Sequence, residues 1–261
     1  MENFELELVG LWEACVEKLF DKHVYVNRLE ELLRNHGITE ESVIMDVSGG
    51  FGFPAIDLAK RGYQIVCNDA SNDMAIRTMM NAEKSGAPEY VWATAVLGPG
   101  RMTWQEFDEL GADAWDALIC KGNSLPYAVS WGKKNPDLSK SRSEIKKVLG
   151  NFHRILVPGG ILYVDKQPER EEEATEKIGE VQVNGRSLYV VNTFRNDKKN
   201  RVRNWTLITR DLETGEEKNY PSQGYLLLEK ELLSLLRETG FKEVKKHILE
   251  GDIYEGFVAK K

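Results

Sequence analysis

The strongest constraint on this chain is a short apolar run that ends in a cluster of glycines. Ser42-Val43-Ile44-Met45-Asp46-Val47-Ser48 leads directly into Gly49-Gly50-Phe51-Gly52-Phe53-Pro54. A β-rich apolar run before glycines predicts a buried strand and a sharp turn, and residues 54–60 read as the helix that follows. Glycines in such a turn let the backbone approach a ligand closely, and the amino end of the next helix favours a negative group. A second apolar run, 63–67, closes on Asp69, and residues 71–84 read as a helix capped by Ser71.

The same rhythm continues. Residues 90–95, 114–120 and 160–165 are strand candidates, with a helix over about 142–156 before the last of them. Strands alternating with helices predict an α/β fold, an open and mostly parallel sheet with helices on both faces. Ahead of it, residues 4–36 show helical spacing broken near 21–25, which predicts two helices that stop at Gly37. After Asp165 the pattern changes. The charge run 169–177 reads as a solvated segment. Alternating stretches over 179–183, 187–194, 202–211 and 216–220 follow, joined at Asn184-Gly185, Asn196-Asp197 and Thr214-Gly215. They predict an antiparallel β insertion. A helix over 228–239 and a strand pair, 244–249 and 253–259, close the chain. The expected division is a helical arm or lid (1–40), a core (41–167 and 227–261) and an insertion that caps the substrate (168–226).

Composition narrows the class of function. The chain has 261 residues and a formal net charge of −7, which argues against a nucleic-acid-binding surface, since phosphate binding calls for clustered positive charge. No apolar run approaches the ~20 residues of a membrane helix. Three glutamates and no basic region in residues 1–8 argue against a secretory signal, so a cytoplasmic location is expected. Cys15, Cys67 and Cys120 are scattered and odd in number, as buried thiols would be, and His23, His36, His153 and His247 lack metal-ligand spacing. The expected partner is a small molecule, with no nucleic acid, membrane or metal.

Taken literally, Gly50-x-Gly52-x-x-Ala55 fits the dinucleotide-binding fingerprint, with Asp69 19 residues beyond Gly50 to accept hydrogen bonds from a ribose. That spacing leaves a nicotinamide-dependent oxidoreductase and a non-catalytic cofactor-binding module open. Other features discriminate. Asp46 precedes Gly50 by four positions, Asp116-Ala-Leu-Ile-Cys-Lys121-Gly122-Asn123-Ser124 ends a strand candidate in a small polar turn, and Val157-Pro-Gly159-Gly160 precedes another. With Leu32-Leu-Arg-Asn-His-Gly37, Asp69-Ala-Ser71, residues 157–165 and Gly251-Asp252, the sequence resembles the class I S-adenosylmethionine-dependent methyltransferases. Within them it is similar to the glycine and glycine/sarcosine N-methyltransferases, over about residues 10–260.

The resemblance implies a Rossmann-like sheet, S-adenosyl-L-methionine as cofactor and N-methylation of a small amine. It implies that Asp46, Gly50 and Gly52 lie at the methionine end of the cofactor, Asp69 at the ribose and Met74 on one face of the adenine. Trp104 would shield or bond the adenine, Trp12 would be an arm aromatic near the cofactor, and Lys121 joins the cofactor-binding candidates. Asn123 would position the substrate beside the methyl group. Tyr127 and Tyr225, with Tyr220 and Tyr254 as further candidates, would present hydroxyls to the sulfonium or amine. Half-buried packing is the alternative for each tyrosine. Two departures stand out. Gln167 occupies the position of a carboxylate-binding arginine, and the arm lacks an arginine near Lys22 and His23. A neutral amide offers no bidentate charged fork, so glycine is expected to bind weakly unless Lys166, Arg195, Arg203 or Arg210 substitutes. A neutral or aromatic acceptor is then favoured.

Overall fold

Side chains along the central strands divide into two apolar sets, one for each face of a sheet. Ile44, Ala117, Ile119, Ile161 and Tyr163 join one buried cluster, while Met45, Leu118, Cys120, Leu162 and Val164 join the other. Strands buried on both faces, reading as nearly continuous apolar runs, are typical of parallel sheets sandwiched by helices. The computed structural model describes residues 2–87, 102–130, 137–169 and 173–261, with side chains from residue 8 onward in the first helix. The strand expected over 90–95 lies outside these residues.

Two helices open the chain, α1 (Glu2–Leu19) and α2 (Lys22–Asn35), separated at Asp21, whose carboxylate caps α2 by accepting from the Val24 amide at 3.0 Å. Then come β1 (Val43–Asp46), α3 (Ala55–Lys60), β2 (Gln64–Cys67) and α4 (Asn72–Ser85), whose cap is Ser71 as expected. They are followed by β3 (Trp115–Cys120), α5 (Ser141–Ile155) and β4 (Leu156–Lys166). The chain ends with α6 (Glu229–Glu238), β9 (Lys242–His247) and β10 (Glu255–Lys260). The described sheet has the order β2-β1-β3-β4-β10-β9, parallel as far as β4 and antiparallel from β10 onward. Connections leave β1 in opposite directions, so a switch point lies between β1 and β3, where the carboxyl ends of open α/β sheets bind ligands.

Between β4 and α6 lies a separate four-stranded antiparallel sheet of β5 (Glu173–Val183), β6 (Arg186–Asp197), β7 (Val202–Asp211) and β8 (Glu217–Tyr225). The β5–β6 hairpin turns on Asn184 and Gly185 alone, both at positive φ (51° and 79°), a conformation that twists with its strands. The charge run is both solvated and regular: Glu173 to Lys177 pair with β6 as part of β5 while staying exposed or half-exposed. β5 is an edge strand, and its outward positions tolerate charge. The apolar face of this sheet is covered by α1, with Leu11 and Cys15 packed among Val181, Val190, Leu207 and Tyr220. Cys15, Cys67 and Cys120 are all buried and free. None of the described helices is long and apolar enough to cross a membrane.

Gly224 on β8 lets the insertion dock on the core, because a Cβ there would lie 2.5 Å from the ring of Tyr127. Overpacking of this kind costs about 1–3 kcal/mol. Gly224→Val is therefore expected to lower the unfolding free energy read from urea titrations by that amount, seen as a lower midpoint; an unchanged midpoint would mean the insertion shifts freely on the core.

Candidate active site

The turn after β1 is held open by hydrogen bonds from three directions. The Gly49 amide donates to the Asn68 carbonyl, the Gly50 amide to Asp69 Oδ2 at 3.0 Å, and Thr78 Oγ1 to the Gly50 carbonyl at 2.7 Å. Gly50 and Gly52 both have positive φ, 57° and 99°, which side chains adopt only with strain. They differ in what surrounds them. A Cβ at Gly50 would meet nothing nearer than the Ser48 carbonyl at 4.0 Å, whereas at Gly52 it would stand 2.4 Å from Ile56 Cδ1. Gly50 therefore faces open space, and Gly52 serves the packing of α3. A substitution at Gly52 would strike the fold before any ligand.

Asp69 stands where the turn meets α4, its Oδ1 accepting from the Ser71 amide at 2.9 Å and its Oδ2 from Gly50. It braces the turn, and a carboxylate so bonded keeps lone pairs for further donors. Burial lifts its pKa to about 6, against the pull of those two amides. Asp46 is fully buried at the end of β1. Its Oδ1 accepts from the Ser48 amide at 3.2 Å, while its Oδ2 has no partner. Burial raises its pKa to about 7, with Lys121 opposing and Asp69 and Asp165 reinforcing the rise.

The next strand end is organised by Asp165, which the sequence marks as a landmark without naming it a site residue. Its two oxygens accept from the amides of Gly122 (2.8 Å) and Asn123 (2.6 Å), and this holds Asn123 at φ 54°. Asn123 Oδ1 in turn accepts from the Gln167 amide at 2.9 Å. Burial and the neighbouring Asp252 carboxyl raise the Asp165 pKa to about 7. Asn123 and Gln167 line a pocket of ≈ 220 Å³, together with Glu169, Lys198, Arg203 and Tyr225. The pocket lies between the core and the insertion sheet. Arg203 is buried there, its guanidinium 4.7 Å from the Phe194 ring centroid and within hydrogen-bonding reach of Asn196 and Tyr127. Lys166 points elsewhere, to Glu255 at 3.1 Å and the Gln167 carbonyl at 2.8 Å.

The remaining candidates are distributed around this crevice. Met74 is buried on the first turn of α4. Trp104 donates its indole N–H to the Val47 carbonyl at 2.6 Å and meets Phe152 edge-on, which leaves its ring but not its donor for another contact. Trp12 packs against Trp205 (5.9 Å between centroids), and the Trp205 indole donates to the Tyr127 hydroxyl at 2.6 Å. Those three residues form a junction of arm, insertion and core. The Tyr225 hydroxyl donates to Glu231 at 2.9 Å. Sequence reasoning missed Asn68, whose side chain clamps Met102 from both amide and carbonyl, and Glu13 and Asn81. Asn81 donates to both Glu13 and the Phe51 carbonyl and so links α1 to the glycine turn. Their polar side chains carry no motif, only tertiary placement. Among the described residues, no group of three or more His, Cys, Asp or Glu side chains is placed to hold a metal.

With that geometry, the architecture is the class I S-adenosylmethionine-dependent methyltransferase fold. An amino pentose methyltransferase from Micromonospora echinaspora, solved with S-adenosylmethionine bound, superposes with TM-score 0.69 at 17% identity, covering 96% of each chain. The CcbJ methyltransferase from Streptomyces caelestis superposes with TM-score 0.66 at 17% identity, over 92% of this chain and 94% of that one. Within the class, the sequence resembles the glycine and glycine/sarcosine N-methyltransferases. Glycine N-methyltransferase of Mus musculus is 31% identical over 137 residues, 51% of this chain and 42% of that protein. Glycine/sarcosine N-methyltransferase of Parasynechococcus marenigrum is 28% identical over 134 residues, 51% of this chain and 40% of that protein. The matched stretch thus spans less than half the length of these curated relatives. No protein-family profile matches the sequence.

Asp46 generates a pH prediction. Its folded pKa of about 7 lies above the ordinary 3.8, so the stability tied to its neutral form is present below pH 3.8 and lost as pH rises through 7. Asp46→Asn should therefore be more stable than the parent at pH 8, by an amount on the order of 1–4 kcal/mol, and the gap should narrow steadily as pH falls below the folded pKa and close only near the ordinary value. Thermal melts of both proteins across that range test it. A gap independent of pH would assign the effect to packing.

Proposed function

We propose that the protein is an S-adenosylmethionine-dependent methyltransferase acting on a nitrogen of a small molecule, a glycine- or sarcosine-like amine in the first reading. The observation that carries this is the crevice at the ends of β1 and β3. There Asp46 keeps an unpartnered buried oxygen, Gly50 opens onto space and Asp69 retains acceptor capacity. These groups suit the cofactor. Asp46 and the Gly50 turn would hold its amino-acid end and Asp69 its ribose, with Met74 and the ring of Trp104 beside the adenine. Gly52 acts by packing α3 beneath the turn.

When bound, the cofactor supplies a methyl group already activated by its sulfonium, so the protein's part is orientation and exclusion of water. The pocket beside Asn123 is the proposed acceptor site, and the insertion (168–226) its cap. An amine attacks only through an unprotonated nitrogen. The Asn123 turn, Tyr127 and Tyr225 are the groups proposed to orient it. For Tyr127 this acts through its bonds to Trp205 and Arg203, which fix its ring.

Gln167 favours a second reading, a neutral amine or nitrogen heterocycle as acceptor. It lines the pocket as an uncharged amide, and Lys166 beside it is committed to Glu255. Of the insertion cations weighed as substitutes, Arg203 lines the pocket. A competition settles the acceptor: glycine, sarcosine and dimethylglycine against uncharged amines and heterocycles, scored by mass spectrometry for gain of one methyl group. Saturation by uncharged acceptors at far lower concentration than glycine supports the second reading; efficient saturation by glycine supports the first. No methylated product from either set would remove the catalytic reading.

The cofactor assignment has its own test. Asp69→Ala removes an acceptor for charged hydrogen bonds of ~1.5–3 kcal/mol, so S-adenosylmethionine should bind about 10- to 100-fold more weakly. Unchanged affinity by calorimetry would withdraw the ribose assignment.

A further inference from the structure

The pocket beneath the insertion is graded from mouth to floor. Glu169 and Lys198 are exposed and stand at its mouth, whereas Asn123, Asn196 and Arg203 are buried and form its floor. Arg203, on β7, is 5% exposed. The Phe194 ring, 4.7 Å away, engages its charge but none of its N–H donors. Nη1 reaches Asn196 Oδ1 at 3.4 Å, and Asn196 lines the same pocket, so the guanidinium end of the side chain is at the wall. A planar fork of donors in that position matches a carboxylate, which it can hold by two parallel hydrogen bonds. Among the described lining residues Glu169 is the one acid, and it is committed: its Oε1 accepts from the Glu229 amide at 2.7 Å, at the amino end of α6. The charge left for an occupant is positive.

The rest of the lining differs in kind. Pro168, Leu226, Leu227 and Leu228 make an apolar wall. They belong to the two connections that join the insertion to the core, from β4 into β5 and from β8 into α6, and the Glu169 contact to Glu229 fastens those connections together. The wall is therefore held at both ends. The volume of ≈ 220 Å³ is many times the ~15 Å³ that admits one water. Glycine, with no side chain, would leave most of that volume to water and the leucines uncovered. A neutral amine would leave the floor cation unanswered. At the core side, Asn123 Oδ1 accepts from the Gln167 amide at 2.9 Å and keeps a second lone pair for a further donor, such as an amine.

We propose that the acceptor is an amino acid with an apolar side chain: its carboxylate on Arg203, its side chain against Pro168 and the three leucines, and its amine at Asn123. The inference rests on the methyl-transfer reading above and deepens it. The cation missing at Gln167 is supplied from the insertion, and the uncharged Gln167 leaves the core side of the pocket to the amine. Arg203 and the leucine wall are then the specificity-determining groups.

KM values measured with S-adenosylmethionine saturating test this, for leucine and phenylalanine against glycine and against leucinamide and phenylalaninamide. At least one of the two larger amino acids should saturate at about tenfold lower concentration than glycine, a factor that burial of an apolar side chain supplies. The same amino acid should saturate at about tenfold lower concentration than its own amide, which keeps the size and loses the charge. Without the carboxylate the amide's amine is less basic, so more of it is unprotonated, and a preference for the acid runs against that advantage. Arg203→Gln should bring acid and amide within about twofold of each other by weakening the acid, and Arg203→Lys should recover part of the difference; a merely structural role for Arg203 would weaken both alike and overturn its assignment. The ratios in the parent decide the acceptor class even where Arg203→Gln does not fold. If glycine saturates as readily as both larger amino acids, or each amide matches its acid, while methylated product still forms, this inference is overturned and the methyltransferase reading stands. No methylated product from any of the probes overturns both.

Discussion

The structure depends on carboxylates, Asp165 fully buried and Asp69 half-buried, that fasten backbone amides at the carboxyl ends of the parallel strands. Asp165 takes the amides of Gly122 and Asn123, and Asp69 takes those of Gly50 and Ser71. Each bond is charge-assisted in the ionised form, and those of the fully buried Asp165 are the costliest to leave unmade. The two carboxylates fix the turns after β3 and β1 in positive-φ conformations that those turns would not keep alone. They also set the spacing of the crevice, because the turns are its two walls. The cost is electrostatic. Burial foremost lifts the pKa values of Asp46, Asp69 and Asp165 to near 6 to 7, with neighbouring carboxylates adding to the rise at Asp46 and Asp165, and the charge of Lys121 opposes it at those two.

Much of this was legible in the sequence because it is local. The apolar run into Gly49–Gly52, the Ser71 cap and the Asn184-Gly185 hairpin depend on neighbours along the chain, and each forms as the residue pattern requires. The departures trace to tertiary contacts. Glu173 to Lys177 is charged enough to read as solvated, yet an edge strand needs only one partner, and β6 supplies it. Gly52 looks like a ligand-facing glycine from its motif, but α3 packs against it through Ile56. The Trp104 indole N–H is spent on Val47. Periodicity cannot reveal which of two nearby glycines faces a helix and which faces a cavity.

The candidate site was legible by class of residue and less so by role. Asp46, Gly50, Asp69, Lys121 and Asn123 all lie at the ends of β1, β2 and β3 or in the turns that follow them, where ligands bind in a doubly wound sheet. Trp12 and Tyr127 also meet at Trp205, where arm, insertion and core come together. That junction ties the insertion to the wall carrying Asn123, for Tyr127 follows Asn123 by a single short turn and fills the space that Gly224 leaves. A disturbance of the cap would thus reach the pocket through one ring.

The distribution of cations separates two ends of one crevice. Lys121 and Lys22 stand at the glycine turn, and Arg203 and Lys198 line the pocket beneath the insertion, with Asp165 and Asn123 between them. A cation fixed by rings and a cation fixed by polar neighbours respond differently to ligands. Lys121 is enclosed by the rings of Phe20, Tyr25, Phe53 and Tyr254, whereas Arg203 is engaged by Asn196, Tyr127 and Phe194. An anionic group that reaches Arg203 must compete with contacts that also tie the insertion to the core. Beside Arg203, Gln167 presents an uncharged amide in a lining that also holds Glu169 and Lys198, so neutral hydrogen bonding and charge act together on whatever enters this pocket.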